Sequence, residues 1–121
     1  MIPFKGLAPQ LLRANPSDVA REIRALFGDR RIEEGRVTVA IPPISENGYS
    51  VPMTVEVESP MTAADHVVRI AVFAEENPLP DVARFDLGPD AGIAKIQTRI
   101  RMGGSQRIVA VAEMNDGSLW R

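Results

Sequence analysis

Cysteine is absent from all 121 residues. Without it the sequence offers no disulfide, no thiolate nucleophile, no iron–sulfur cluster and no thiolate zinc site, although the absence says little about compartment. Histidine is almost absent as well. The single copy, His66, is too little for a multi-histidine metal centre and argues against a Ser-His-Asp triad. Long apolar runs are missing too, since none reaches the ~18 to 20 residues that span a bilayer. Within Met1–Arg13, Lys5, Gly6, Pro9 and Gln10 interrupt any secretory apolar core, so the expectation is a cytosolic protein or one whose signal has been removed. Nor is there a surplus of charge. Fourteen basic against 16 acidic residues leave a net charge of -2, with no global positive field to gather nucleic acid or an anionic membrane.

What is present is ordinary globular composition, 45% hydrophobic and 25% charged. At this length one domain is expected, burying roughly two thirds of the unfolded chain's surface. Asn15-Pro16-Ser17-Asp18 opens a helix, with Asn15 as N-cap, Pro16 at the first helical position and Asp18 near the positive end of the dipole. Val19, Ile23, Leu26 and Phe27 share a face at helical spacing, and Gly28 supplies a left-handed stop. The organisation predicted is an extension over 1–14 followed by one domain over 15–121, with a helix at 16–27 and a sandwich at 36–121. Asp29 to Gly35 is too charged and too short for a second helix.

From Arg36 the apolar period becomes two. Val37, Val39 and Ile41 alternate with polar or small residues, as do Val51, Met53, Val55 and Val57 after the Ser45-Glu46-Asn47-Gly48 turn, which predicts a hairpin. In the run His66 to Ala74, Val68, Ile70 and Val72 form an apolar row; Ala83, Phe85 and Leu87 form another beyond Asn77-Pro78. Ile96, Thr98, Ile100 and Met102 alternate with Lys95, Gln97, Arg99 and Arg101. Ile108 to Met114 is apolar on both faces, as a covered central strand requires. Short strands at this spacing predict a mostly β protein, an immunoglobulin-like sandwich of about seven antiparallel strands behind one helix. Asp116-Gly117 then signals a reversal whose return strand, Leu119-Trp120-Arg121, is short for its partner. This predicts a final strand that continues past Arg121, set against the plain reading of a frayed terminus with a short edge strand; a form ending at Arg121 could self-associate through the bared edge.

Few residues suggest chemistry. Asp65 beside His66 could raise the imidazole pKa, but one histidine without a partner reads better as a loop or strand-start residue. Glu75, Glu76 and Asp81 lack the ligand spacing of a calcium loop and read as solvated charge. Gly103-Gly104-Ser105 reads as a turn, since no helix or lysine follows to make a phosphate loop. Lys95, Arg99 and Arg101, with Arg107 across a hairpin, form a basic face suited to an anion or acidic partner, set against the plain reading of a solvated strand. Trp120 either caps the sandwich core or, with Arg121, roots a C-terminal extension or touches a partner. No catalytic residue, cofactor or metal is expected.

Val51 to Asp65 (VPMTVEVESPMTAAD) resembles the SoxY family of sulfur carriers of bacterial thiosulfate oxidation. The likeness continues through Leu26-Phe27-Gly28, Glu46-Asn47-Gly48, Ile70 to Ala74, Asn77-Pro78, Ala94 to Met102 and Val109 to Trp120, so it covers roughly Ser17 to Arg121. It implies a helix before an immunoglobulin-like sandwich, export to the periplasm, a heterodimer with a SoxZ-like subunit, and dealings with other Sox enzymes as a carrier rather than an enzyme. It also implies a Gly-Gly-Cys-Gly-Gly arm whose thiolate holds sulfur covalently. The sequence departs from the pattern there, having neither arm nor cysteine. A truncated carrier accounts for both absences; the alternative is an immunoglobulin-like interaction module without covalent chemistry.

Overall fold

The computed structural model describes residues 16–42, 50–75, 80–101 and 107–121. Helix α1 spans Pro16–Phe27 and carries Asp18 in its first turn. A 12-residue helix is marginal alone in water, so its stability must come from the face it buries. Val19, Ile23 and Phe27 provide that face, packing on Ala71, Phe73, Val111 and Leu119. Gly28, at φ +77°, then turns the chain, and its N–H reaches Arg24 O at 2.7 Å.

Among the described residues eight strands follow, β1 (Ile32–Glu33), β2 (Val37–Ala40), β3 (Val51–Val57), β4 (Val67–Ala74), β5 (Asp81–Asp86), β6 (Lys95–Ile100), β7 (Ile108–Met114) and β8 (Leu119–Trp120). They form a five-stranded sheet ordered β1-β8-β7-β4-β5 and a three-stranded sheet ordered β2-β3-β6. Valine, isoleucine and methionine at alternate positions fill the space between the sheets. Met53, Val55, Val67, Ile70, Val72 and Ala112 are all buried there. The helix covers the outer face of the larger sheet, which explains why β4 and β7 are apolar on both sides. β2 and β3 pair as the expected antiparallel hairpin, with Val37 opposite Val57 and Ala40 opposite Thr54.

The structure departs from the sequence reading at three points. Ile32–Glu33 is a strand, pairing parallel with β8 through Ile32↔Leu119 and Glu33↔Trp120. Two residues are too few to show a period, and this pairing exists only once both chain regions are in place. In β4 the pairing with β7 shifts register between Val67 and Arg69, so Val67 joins Ile70 and Val72 inside while Val68 is only half-buried. Finally, β6 and β7 lie in different sheets, so Arg107 does not extend the basic face of β6. Its carbonyl instead accepts the Glu75 N–H at the end of β4. The Asn15 cap, the 1–14 extension, Glu76, Met102 and the turns at Ser45 to Gly48, Asn77-Pro78 and Gly103 to Ser105 lie outside the described residues.

Candidate functional site

Trp120 and Arg121 lie at one pole of the sandwich, and their surroundings are ordered by short-range hydrogen bonds. Asp116-Gly117 makes the expected turn, with Gly117 at φ +87° and its N–H on Met114 O at 2.9 Å. Ser118 donates to Asp116 Oδ1 from its hydroxyl at 2.6 Å and from its backbone N–H at 2.8 Å. These two bonds hold the Asp116 carboxyl below its ordinary pKa, with a smaller contribution from the Arg36 charge. The Ser118 hydroxyl also accepts the Trp120 indole N–H at 3.1 Å. The ring is thereby anchored at its polar edge while its body packs against the core between the sheets.

Arg36 closes the same pole. Its guanidinium lies 4.9 Å from the Trp120 ring centroid, 3.5 Å from Asp65 Oδ1 and within 3.4 Å of Glu58 O. Gly35 before it has φ +125°, a conformation for glycine, and its N–H donates to Arg121 O at 3.0 Å. Arg121 N–H in turn donates to Glu33 O at 2.9 Å, and its side chain reaches Glu34 at 3.2 Å. The core-capping reading of Trp120 is thus met by its position, and the backbone of Arg121 is fixed by β1. Sequence reasoning missed Arg36 and the Ser118–Asp116 pair as the groups that orient Trp120. The Asp-Gly signal marked the turn, but nothing local ties Arg36 to a residue 84 positions on.

β8 pairs with β7 only at Ala112 and Glu113. On that side Ile108 to Val111 has no strand neighbour among the described residues. A cleft of about 200 Å³ lies there, lined by Val37, Val39, Ile108, Val109, Ala110 and Arg121.

The remaining candidates separate. His66 is held at the start of β4: its N–H donates to Asn115 Oδ1 at 2.9 Å, its carbonyl accepts Asn115 N–H, and Nδ1–H donates to Thr62 O at 2.8 Å. The loop before it satisfies itself. Ser59 Oγ accepts the Met61 N–H, Thr62 Oγ1 accepts the Asp65 N–H, and Ser59 Oγ donates toward Asp65 O at 3.1 Å. The Ser59 to Asp65 end of the segment that resembles the family is therefore a self-bonded corner. Asp81 pairs with Arg84. Among the described residues no group of three or more His, Cys, Asp or Glu is placed to hold a metal. Lys95 and Arg99 are exposed on the outer face of the small sheet, with Arg101 exposed just past the strand. Lys95 stands opposite Glu56, and Arg99 lies opposite Pro52 with its guanidinium 3.3 Å from Ser50 O and Oγ.

No curated protein matches the chain significantly. Among solved structures, a superoxide reductase (neelaredoxin) from Ignicoccus hospitalis shares the fold, with 18% identity, TM-score 0.61, and coverage of 99% of this chain and 93% of that one. A second structure, the sulfur carrier protein SoxY from Chlorobium limicola f thiosulfatophilum, is 32% identical with TM-score 0.72, covering 87% of this chain and 90% of its own. The family model for the sulfur oxidation protein SoxY matches residues 23–121, from within α1 through both sheets to the Trp120 pole. On this sequence match and the shared architecture, the chain belongs to the SoxY family.

Proposed function

We propose that this chain is the body of a covalent sulfur carrier in thiosulfate oxidation, a carrier rather than an enzyme, with its thiol on a C-terminal arm that these residues do not include. The observation that carries the proposal is the SoxY family match over residues 23–121, joined to the absence of any cysteine on which sulfur could ride. A carrier needs a thiolate that attacks a sulfane or disulfide sulfur and is later released, and no other side chain substitutes for it. The fixed backbone at Trp120 and Arg121 is a suitable root for such an arm, and the side of Ile108 to Val111 away from β4, which has no strand neighbour among the described residues, supports a continuing strand. The proposal includes a heterodimer with a SoxZ-like subunit, exchange with other Sox enzymes, and a periplasmic location.

The test uses the protein isolated from cells oxidising thiosulfate, with fractionation to locate it, intact-mass analysis and alkylation by iodoacetamide. One alkylatable thiol beyond Arg121 is expected, a SoxZ-like subunit co-purifies, and alkylation abolishes thiosulfate-dependent turnover. Undiminished turnover after alkylation overturns the carrier reading. The absence of cysteine also favours a second reading, an interaction module without covalent chemistry; a natural protein with no thiol and no effect on turnover supports it.

A further inference from the structure

Each sheet has two outer strands, and their charge differs. On β5, Arg84 pairs with Asp81, and Asp86 pairs with Arg69 of β4. At β1, Arg31 pairs with Glu33 and Glu34 with Arg121. β2 carries no charged residue at all. Among the described outer strands, β6 carries a positive excess within the strand, from Lys95 and Arg99. Glu56 faces Lys95 across the β3–β6 pair and offsets part of its charge, while the acceptors near Arg99 are neutral Ser50 atoms, so the surplus stays positive.

The backbone of β6 is aligned with that charge. In an antiparallel pair, opposed residues alternate between exchanging hydrogen bonds with each other and directing them outward. Val57 N–H donates to Ala94 O at 2.9 Å, which fixes the phase. By alternation along the register, Val55/Ile96, Met53/Thr98 and Val51/Ile100 are bonded pairs, whereas Glu56/Lys95, Thr54/Gln97 and Pro52/Arg99 are not. Pro52 has no N–H to donate, which agrees with its place in an unbonded pair. The N–H and C=O groups of Lys95, Gln97 and Arg99 therefore point away from β3. No described strand lies on that side. The residues that present the cations are the same residues that present the free backbone.

We propose that the outer edge of β6 docks an extended acidic segment of a partner protein, added antiparallel as a fourth strand of the small sheet. Strand addition supplies backbone hydrogen bonds, and alternate side chains supply selectivity. An incoming strand centred opposite Gln97 places acidic residues against Lys95 and Arg99, a small polar residue at its centre, and apolar residues beside Ile96 and Thr98. A second copy of this chain is disfavoured at the same edge. Antiparallel self-pairing about Gln97 sets Lys95 opposite Arg99, and like charges directly opposed destabilise a pair. The proposal stands independently of the sulfur-carrier reading.

The experiment uses the full 121-residue chain and a fluorescent peptide, threonine–glutamate–valine–threonine–valine–glutamate–threonine, capped at both ends. A control peptide has lysine in place of glutamate. Anisotropy measures affinity at about 50 and about 300 mM salt, where screening differs strongly, and NMR follows the amides. The glutamate peptide is expected to bind, to weaken with salt, and to slow exchange at the amides of Lys95, Gln97 and Arg99. Lys95→Glu with Arg99→Glu is expected to weaken it about tenfold or more. Gln97→Pro removes the central outward N–H while leaving the β3 ladder intact, since proline is tolerated on the free side of an edge strand. With circular dichroism unchanged, this variant should lose binding although its charge is unaltered. Equal binding of the lysine peptide, protection at another edge, no binding at millimolar peptide, or wild-type affinity in Gln97→Pro overturns the proposal. If Gln97→Pro unfolds, the amide protection pattern decides.

Discussion

The indole of Trp120 is oriented through a two-step relay, in which its N–H meets the Ser118 hydroxyl and that hydroxyl meets the Asp116 carboxylate. One oxygen serves as donor and acceptor at once, so the depressed Asp116 pKa and the ring position share a cause. A carboxyl whose pKa is lowered on folding contributes stability above its unfolded pKa and loses that contribution as pH falls through the folded value. Ser118→Ala is expected to move Asp116 up toward its ordinary pKa in a carboxyl NMR titration and to change Trp120 fluorescence in the same variant. A titration unchanged from wild type sinks the relay. The role of Trp120 as a core cap was legible from its size and uniqueness. The groups that hold it were not, because Arg36 meets the ring only through the parallel β1–β8 pairing, a contact with no local signature.

The same distinction holds among the elements. α1 was readable because proline, acidic first turn, apolar spacing and terminal glycine all agree, and the hairpin of β2 and β3 because its alternation is unbroken. The β4 bulge was not, since one extra residue between Val67 and Arg69 reverses parity while leaving a run of apolar residues on either reading. α1 also has a clamp that its own sequence does not announce. Arg30, beyond its C-terminus, donates to Phe27 O at 2.9 Å and Gly117 O at 3.0 Å, and pairs with Glu113 at 2.6 Å. It ties the helix to the β7–β8 turn. Phe27 beneath it is 5% exposed and is the one aromatic residue of α1. Phe27→Ala is expected to cost about 3 kcal/mol in urea unfolding, with the slope against denaturant unchanged. A loss under about 1 kcal/mol would show that the helix contributes little to the cooperative fold.

At the scale of the whole molecule, the larger sheet is the middle of three layers, with α1 on one face and the small sheet on the other. β4, β7 and the short β8 lie in its interior with apolar contacts on both faces. Ile70, Val72, Ala110 and Ala112 face the small sheet, whereas Ala71, Phe73 and Val111 face the helix. The two-sided apolar character of Ile108 to Met114 made this coverage legible. Sheet membership was less so: alternation says which side chains point together but not which strand lies beside which, so a hairpin bringing Arg107 beside the basic face of β6 fits the sequence although the strands lie in different sheets. The layering makes a dynamic prediction, because amides exchange in order of the free energy needed to expose them. Native-state hydrogen exchange should find its slowest amides in Ile70 to Phe73 and Ala110 to Ala112, where opening requires both cores to separate. Outward N–H groups on β5 and β6 should exchange fastest among the strands, since no described strand covers them. Slowest exchange in β3 instead would place the stability centre in the small sheet and make the helix layer an addition to a sandwich that is already complete.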